Sequence, residues 1–132
     1  LGNALGLEAN LRWVGYLERG FELSSCYQAG DVFVFASRTE TQGLVLLEAM
    51  RLGVPVVSTA VMGTRDIVAP ERGALAAEEN VGHFAAQVRR LLDDADLRQR
   101  LGEEGRRYAG EWAAQGPAQA LLKFYLEFTF AR

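Results

Sequence analysis

Short runs of β-branched and aromatic residues, separated by helical patterns, constrain the fold of this chain more than any other feature. Residues 11–16 (LRWVGY), 31–37 (DVFVFAS) and 55–59 (PVVST) are bounded by Gly, Pro or Ser. They run apolar with little alternation, as strands covered on both faces do. Residues 73–76 (GALA) are a fourth candidate. Helical patterns are expected over about residues 21–29 and 43–52, with a short turn near 64–69. Strand, helix and strand in this succession predict a parallel sheet with helices on its faces, an α/β fold.

From about residue 80 the pattern becomes helical throughout. Val81, Phe84, Ala85, Val88, Leu91 and Leu92 recur at helical spacing opposite Arg89, Arg90 and Asp93, which predicts an amphipathic helix. A second helix is expected over about 96–109, with Leu97 and Leu101 inward, Asp94 or Asp96 as its cap, and Gly110 as its end. Gly116-Pro117 would open a last helix within residues 112–132, since Pro suits a first helical turn. Its broad apolar surface, with Leu121, Leu122, Tyr125, Leu126 and Phe128, implies packing on something else. At 132 residues the chain is read as one domain.

Composition excludes several classes of function. The formal net charge is −3, spread along the chain, so nucleic acid is a poor partner. Cys26 is the single cysteine, which rules out an intrachain disulfide and makes a reducing, cytoplasmic setting the default. No apolar run approaches the roughly 20 residues that span a bilayer. The N-terminus has neither an initiator Met nor a signal-peptide pattern and reads as the interior of a longer chain.

The chemistry is concentrated in residues 37–50 (SRTETQGLVLLEAM). This stretch leaves a buried strand and enters a helix through small polar residues. Open α/β sheets bind ligands at the C-terminal ends of their strands. A helix opening there presents unpaired amides and a partial positive charge of about half a unit. Gly43 would let an anion approach those amides, with Thr41 as the expected N-cap. The stretch reads as a phosphate or diphosphate seat without a P-loop, because Lys123, the only lysine, is far away. Glu40 should lie at the mouth of the cleft. Glu48 falls roughly 9 Å further along the helix, among Leu46, Leu47, Ala49 and Met50. A carboxylate buried there needs donors, which vicinal sugar hydroxyls would supply. The plainer alternative puts Glu48 on the solvent face and has Glu40 merely support the helix start; spacing alone leaves both open.

Glu40 and Glu48, seven residues apart, sit in a string that resembles the Glu-x7-Glu signature of family-four GT-B retaining glycosyltransferases (glycosyl transferases group 1). Val14-Gly15-Tyr16 is similar to the family's preceding strand, and residues 26–31 (CYQAGD) to its "y-x-x-a-D" lead-in. Residues 53–57 (GVPVV) match "G-x-P-V-V", and residues 62–68 (MGTRDIV) resemble the "G-G-x-x-E-x-v" turn, with Met62 in place of the first Gly and Asp66 in place of Glu. The resemblance covers about residues 9–125, in family order and spacing.

This resemblance implies a Rossmann-like parallel sheet with flanking helices, the incomplete C-terminal, donor-binding half of a GT-B fold. It implies a retaining glycosyltransferase that moves a sugar from a nucleotide-diphosphate sugar, such as a UDP- or GDP-sugar, to a glycan or lipid acceptor. No further cofactor and no metal are implied. The amides of Gly43, Leu44 and Val45 would hold the diphosphate, with Thr41 and Gln42 lining the loop. Glu48 would accept from the ribose hydroxyls, and Glu40, the catalytic candidate, would position the transferred sugar. The Arg and Lys that clamp the diphosphate in the family, and the N-terminal domain that binds the acceptor, lie outside this chain. These residues alone are therefore expected to bind donor weakly and to transfer negligibly. A cytoplasmic place, with peripheral contact at the inner membrane face in the full-length protein and a role in surface polysaccharide synthesis, are family-level expectations. So is the strand order 3-2-1-4-5-6, which leaves the 11–16 and 31–37 strands either to pair through a crossover or to be bridged by a second copy in a homodimer. The alternative is a non-catalytic nucleotide-binding or assembly module on the same scaffold. A dehydrogenase-type domain is disfavoured by the lack of G-x-G-x-x-G after any strand.

Other features are assigned to structure. Asp94-Ala95-Asp96 is read as a cap or loop rather than a metal motif, and His83 as a surface residue. Cys26 is read as inert and partly buried, and Arg89-Arg90 and Arg106-Arg107 as solvated faces. Arg38 and Arg65 are expected to flank the cleft as lesser candidates for the phosphates.

Overall fold

The computed structural model describes residues 2–68 and 70–114. Its centre is a parallel sheet of β1 (Phe33–Phe35), β2 (Val56–Thr59) and β3 (Ala74–Ala77), in that order. Phe33 aligns with Val56, and Val56 with Ala74. Around the sheet lie α1 (Phe21–Gln28), α2 (Leu44–Arg51), α3 (Arg65–Val68), α4 (Val81–Asp93) and α5 (Ala95–Ala114). The expected strands at 31–37 and 55–59 are present in shortened form, and the Ala-rich fourth candidate is a full partner of β2.

Strand alternation divides the core in two. Val56 and Ala74 join Leu46, Leu47, Met50, Ile67, Val68 and Tyr108 on one face. Val57, Leu75 and Ala77 turn the other way, onto Leu91, Leu97 and Leu101. All four residues of β2 are buried, the polar Ser58 and Thr59 included. Helix α2 ends where Gly53, at φ 79°, takes a left-handed turn that glycine adopts without strain. The Gly53 and Val54 amides close back on the Met50 and Ala49 carbonyls at 2.9 and 3.0 Å, a Schellman-type termination that aims the chain into β2.

Helix α5 is one rod of 20 residues, about 30 Å long, packed chiefly against α2. It sits close to its neighbours because Gly102 stands against the Gly53 carbonyl and Gly105 against Gly73 and Met50. Asp94 caps it, accepting from the Leu97 amide at 2.9 Å. Arg72 forks onto Glu111 at 2.6 and 2.7 Å and lies 4.9 Å over the Tyr108 ring, while the Tyr108 hydroxyl donates to the Asp66 carbonyl at 3.1 Å.

Several expectations are corrected. Residues 11–16 form no strand: every one is exposed, Trp13 at 89% and Tyr16 at 91%. Strand-like composition describes what the side chains tolerate, whereas a strand also needs an adjacent edge about 4.8 Å away. Among the described residues no strand pairs with this segment, and no crossover joins it to β1. Gly110 does not end its helix, which runs on to Ala114; a single glycine only weakens a helix interior. Residues 112–114 accordingly belong to α5, and the rest of the predicted last helix lies outside the described residues. On α4 the inward stripe is Phe84, Val88 and Leu91. Val81 (88%) and Leu92 (52%) are exposed, the first in the opening turn and the second about 100° round from Leu91; Ala85 is exposed as well. Cys26 is exposed rather than partly buried. His83 is half-buried and closes the turn before α4, its Nδ1 accepting from the Glu78 amide at 2.9 Å.

The glycines of α5 generate opposite expectations. Gly102→Val should lower stability by about 1–3 kcal/mol, because its branches meet backbone that has nowhere to go. Gly110→Ala should raise it by roughly 0.5–1 kcal/mol, because a Cβ there meets open space. Chemical denaturation of the two variants checks both signs.

Candidate functional site

Three loops meet at the C-terminal edge of the sheet: residues 36–43 after β1, 60–64 after β2 and 78–80 after β3. The first two are clasped backbone to backbone. The Gly63 amide donates to the Glu40 carbonyl at 3.1 Å, and Gly63 lies so close to the Thr41 carbonyl that a side chain would collide with it. Gly43 is equally confined, its missing Cβ facing Ile67 Cδ1 at 2.6 Å and the Gly63 carbonyl at 3.2 Å. The second loop is braced from inside. The Thr64 hydroxyl, fully buried, lies 2.7 Å from both the Thr59 and Val61 carbonyls and accepts from the Val61 amide at 3.1 Å. Arg38 reaches across to the third loop, Nε to Glu79 Oε1 at 2.7 Å.

The helix start differs from the expected one. Thr41 is exposed and is not the N-cap. Gly43 holds that position in the left-handed conformation, φ 67° and ψ 20°, which a threonine adopts only at a cost. The acceptor is Glu40: one carboxylate oxygen, Oε1, takes the Gln42 amide at 2.9 Å and the Gly43 amide at 2.8 Å. The plainer alternative for Glu40, support of the helix start, is thus what the geometry contains. The Gln42 amide, and then that of Gly43, hold the Glu40 carboxyl below the ordinary carboxylate range by favouring its charged form. Leu44 and Val45 follow as half-buried residues of the first turn, whose amides precede the helix's own ladder. An anion already sits on part of the predicted seat, and it belongs to the chain itself.

Glu48 lies on the inner side of α2, 6% exposed, so the solvent-face alternative is excluded. Its Oε2 accepts from the Tyr27 hydroxyl at 3.1 Å, and its Oε1 is 3.6 Å from Arg19 Nη1. The structure therefore brings Glu40, Gln42, Gly43, Leu44, Val45 and Glu48 onto one loop-and-helix unit. Arg38 is committed to Glu79, and Arg65 opens α3 as an exposed residue. Tyr27 and Arg19 were not singled out by the sequence. The only signal was the tyrosine of the "y-x-x-a-D" string, which composition alone does not connect to Glu48.

The profile of the glycosyl transferases group 1 family matches residues 2–108. Sulfoquinovosyl transferase SQD2 of Arabidopsis thaliana is 40% identical over 92 residues, covering 67% of this chain and 18% of that protein. The D-inositol 3-phosphate glycosyltransferase of Salinispora arenicola is 33% identical over 128 residues, covering 96% of this chain and 28% of that one. Among solved structures, sucrose-phosphate synthase from Thermosynechococcus elongatus superposes with a TM-score of 0.79 at 29% identity, over 95% of this chain and 32% of that one. WaaG, a glycosyltransferase involved in lipopolysaccharide biosynthesis, shares the fold with a TM-score of 0.75 at 24% identity, over the same shares of each chain. The chain spans less than a third of the length of each of these relatives. The fold is thus a Rossmann-like parallel α/β unit of the GT-B kind, and the chain belongs to the glycosyl transferases group 1 family.

Membership makes one departure informative. Met62 stands where the family's turn commonly has glycine, yet keeps a left-handed backbone, φ 51°. Met62→Gly should therefore stabilise the fold by about 0.5 kcal/mol, relief of left-handed strain outweighing the added freedom of the unfolded chain; a thermal melt gives the sign.

Glu40 supplies a pH expectation. Its carboxyl titrates lower in the folded than in the unfolded chain, so its contribution is present above the unfolded value of about 4.3. That contribution is lost as pH falls through the lower folded value. Melts from pH 6 to pH 3 should show the advantage of the native chain over Glu40→Gln shrinking across the acid end of that range.

Proposed function

We propose that the protein is a retaining glycosyltransferase and that this chain holds its nucleotide-diphosphate-sugar donor. The observation that carries the reading is the pairing of an acid at the mouth of α2 with a second acid buried one turn further on. The first stands at the C-terminal edge of a parallel sheet and the second inside the helix that opens there, in a chain of the group 1 family. In the reaction the bond between the sugar's anomeric carbon and the diphosphate breaks, and the diphosphate keeps the electron pair. An acceptor hydroxyl forms the new bond to that carbon and loses its proton. Stabilising the departing charge is the main electrostatic task, and the first-turn amides of Gly43, Leu44 and Val45 suit it. Thr41 and Gln42 line the same loop. Glu48 takes the hydroxyls of the nucleotide pentose, and Glu40 turns from the amides to the transferred sugar.

The acceptor is a glycan or lipid, engaged by parts of the protein beyond these residues, and the site of action is the cytoplasm or the inner membrane face. Among the described residues no helix is long and apolar enough to cross a membrane. One relative is named a D-inositol 3-phosphate glycosyltransferase, which supports a hydroxyl-bearing acceptor, and another is named for the sulfoquinovosyl group that it transfers. A non-catalytic binding module is the second reading, favoured by the Glu40 carboxylate lying on the amides.

Replacing Glu40 by Gln in the full-length protein separates the two. An enzyme should lose roughly a hundredfold in kcat, whereas a binding module would keep its donor affinity and have no turnover to lose. Glu48→Ala should weaken donor binding by at least about tenfold, read by calorimetry against UDP-, GDP- and ADP-sugars.

A further inference from the structure

Glu48 has two partners, and they differ in kind. Arg19 approaches Oε1 from a half-exposed position at 3.6 Å, a geometry too long for a strong hydrogen bond. Tyr27 donates to Oε2 at 3.1 Å from the last turn of α1, and its partly buried ring packs against the core. The Phe33 ring lies 5.3 Å away, and Phe33 in turn stacks on Phe35 at 6.2 Å. Burial, and then the charge of Glu48, push the Tyr27 phenol well above its ordinary pKa, so it remains a donor over the whole range in which enzymes work. The phenol packs on Phe33, itself stacked on Phe35, and its proton goes to one edge of the carboxylate.

A carboxylate that receives a vicinal diol must offer two oxygens in a fixed plane. Glutamate has three rotatable bonds, and α2 alone does not fix that plane. We infer that Tyr27 is a positioning residue for Glu48: its hydroxyl holds Oε2 and fixes the carboxylate plane so that the remaining lone pairs face the pentose diol of the donor. This rests on the reading of Glu48 as the pentose acceptor. The aromatic string at residues 27, 33 and 35 then has a purpose beyond packing, because it transmits the rigidity of β1 to an acid on α2.

The test uses the full-length protein and a ligand-side cycle. Whichever of UDP, GDP or ADP binds tightest is titrated alongside its 2′,3′-dideoxy counterpart. The ratio of the two dissociation constants is compared in the native protein, Glu48→Ala and Tyr27→Phe. Glu48→Ala should collapse the ratio toward one, and a ratio left at the native value there refutes the pentose reading itself. Tyr27→Phe keeps the ring and should weaken the ribose-bearing ligand roughly tenfold while leaving the dideoxy ligand within about twofold. Equal loss for both ligands, or no loss for either while Glu48→Ala does collapse the ratio, overturns the positioning role alone. Adding Tyr27→Phe to Glu48→Ala closes the cycle: no further weakening of the ribose-bearing ligand beyond Glu48→Ala supports the inference, and an independent second loss refutes it.

Discussion

The fold depends on a strand of four residues buried on both sides and paired on both edges. Val56–Thr59 has no solvent-facing residue, so each neighbour must supply either hydrogen bonds or apolar surface. Parallel pairing on both edges forces the connections to cross over as helices, and the two side-chain faces of β2 assign each helix to a layer. Gly53 then matters more than its size suggests, because it turns the chain from α2 into this strand. Its lack of a side chain also leaves room for Arg106, whose guanidinium donates to the Leu52 carbonyl at 3.3 Å.

Parallel strands also put all three connecting loops on one edge, which is why the candidate site lies there. The loops differ in firmness. The one after β2 is held by the fully buried Thr64 hydroxyl, and it in turn presses Gly63 against residues 40–41. The start of α2 is therefore braced by backbone contact as well as by the Glu40 carboxylate. A rigid amide array costs little reorganisation when charge arrives, and the close packing of Gly43 and Gly63 is the local form of that rigidity.

Much of this was legible in the sequence where the signal is local. The helical repeat placed α2 and α4, unbroken apolar runs placed β1 and β2, and Glu48 flanked by leucines turned out buried. Asp94 capped its helix as its type and position suggested. What escaped is what depends on distant partners. Residues 11–16 look like a strand in composition, but pairing is a property of two segments. Thr41 is a good capping residue by type, yet the conformation at Gly43 and the reach of Glu40 gave the role to another side chain. Gly110 reads as a stop, while the Tyr108 and Glu111 contacts on either side carry the helix through it. Tyr27 found Glu48 across 21 residues of chain, a meeting that no window of sequence contains. Fold class was therefore plain, the unit bearing the site was plain, and the hydrogen-bond partners within it were not.

The carboxylate lying on the Gln42 and Gly43 amides has a thermodynamic consequence for selectivity. An anion that takes those amides trades one negative acceptor for another and strands the evicted acid, so a lone phosphate gains little by the exchange. A molecule that brings hydroxyls along with its phosphates gives the displaced acid new donors. Under the proposed function the site is in this sense self-quenched, discounting simple anions in favour of a ligand with both kinds of group.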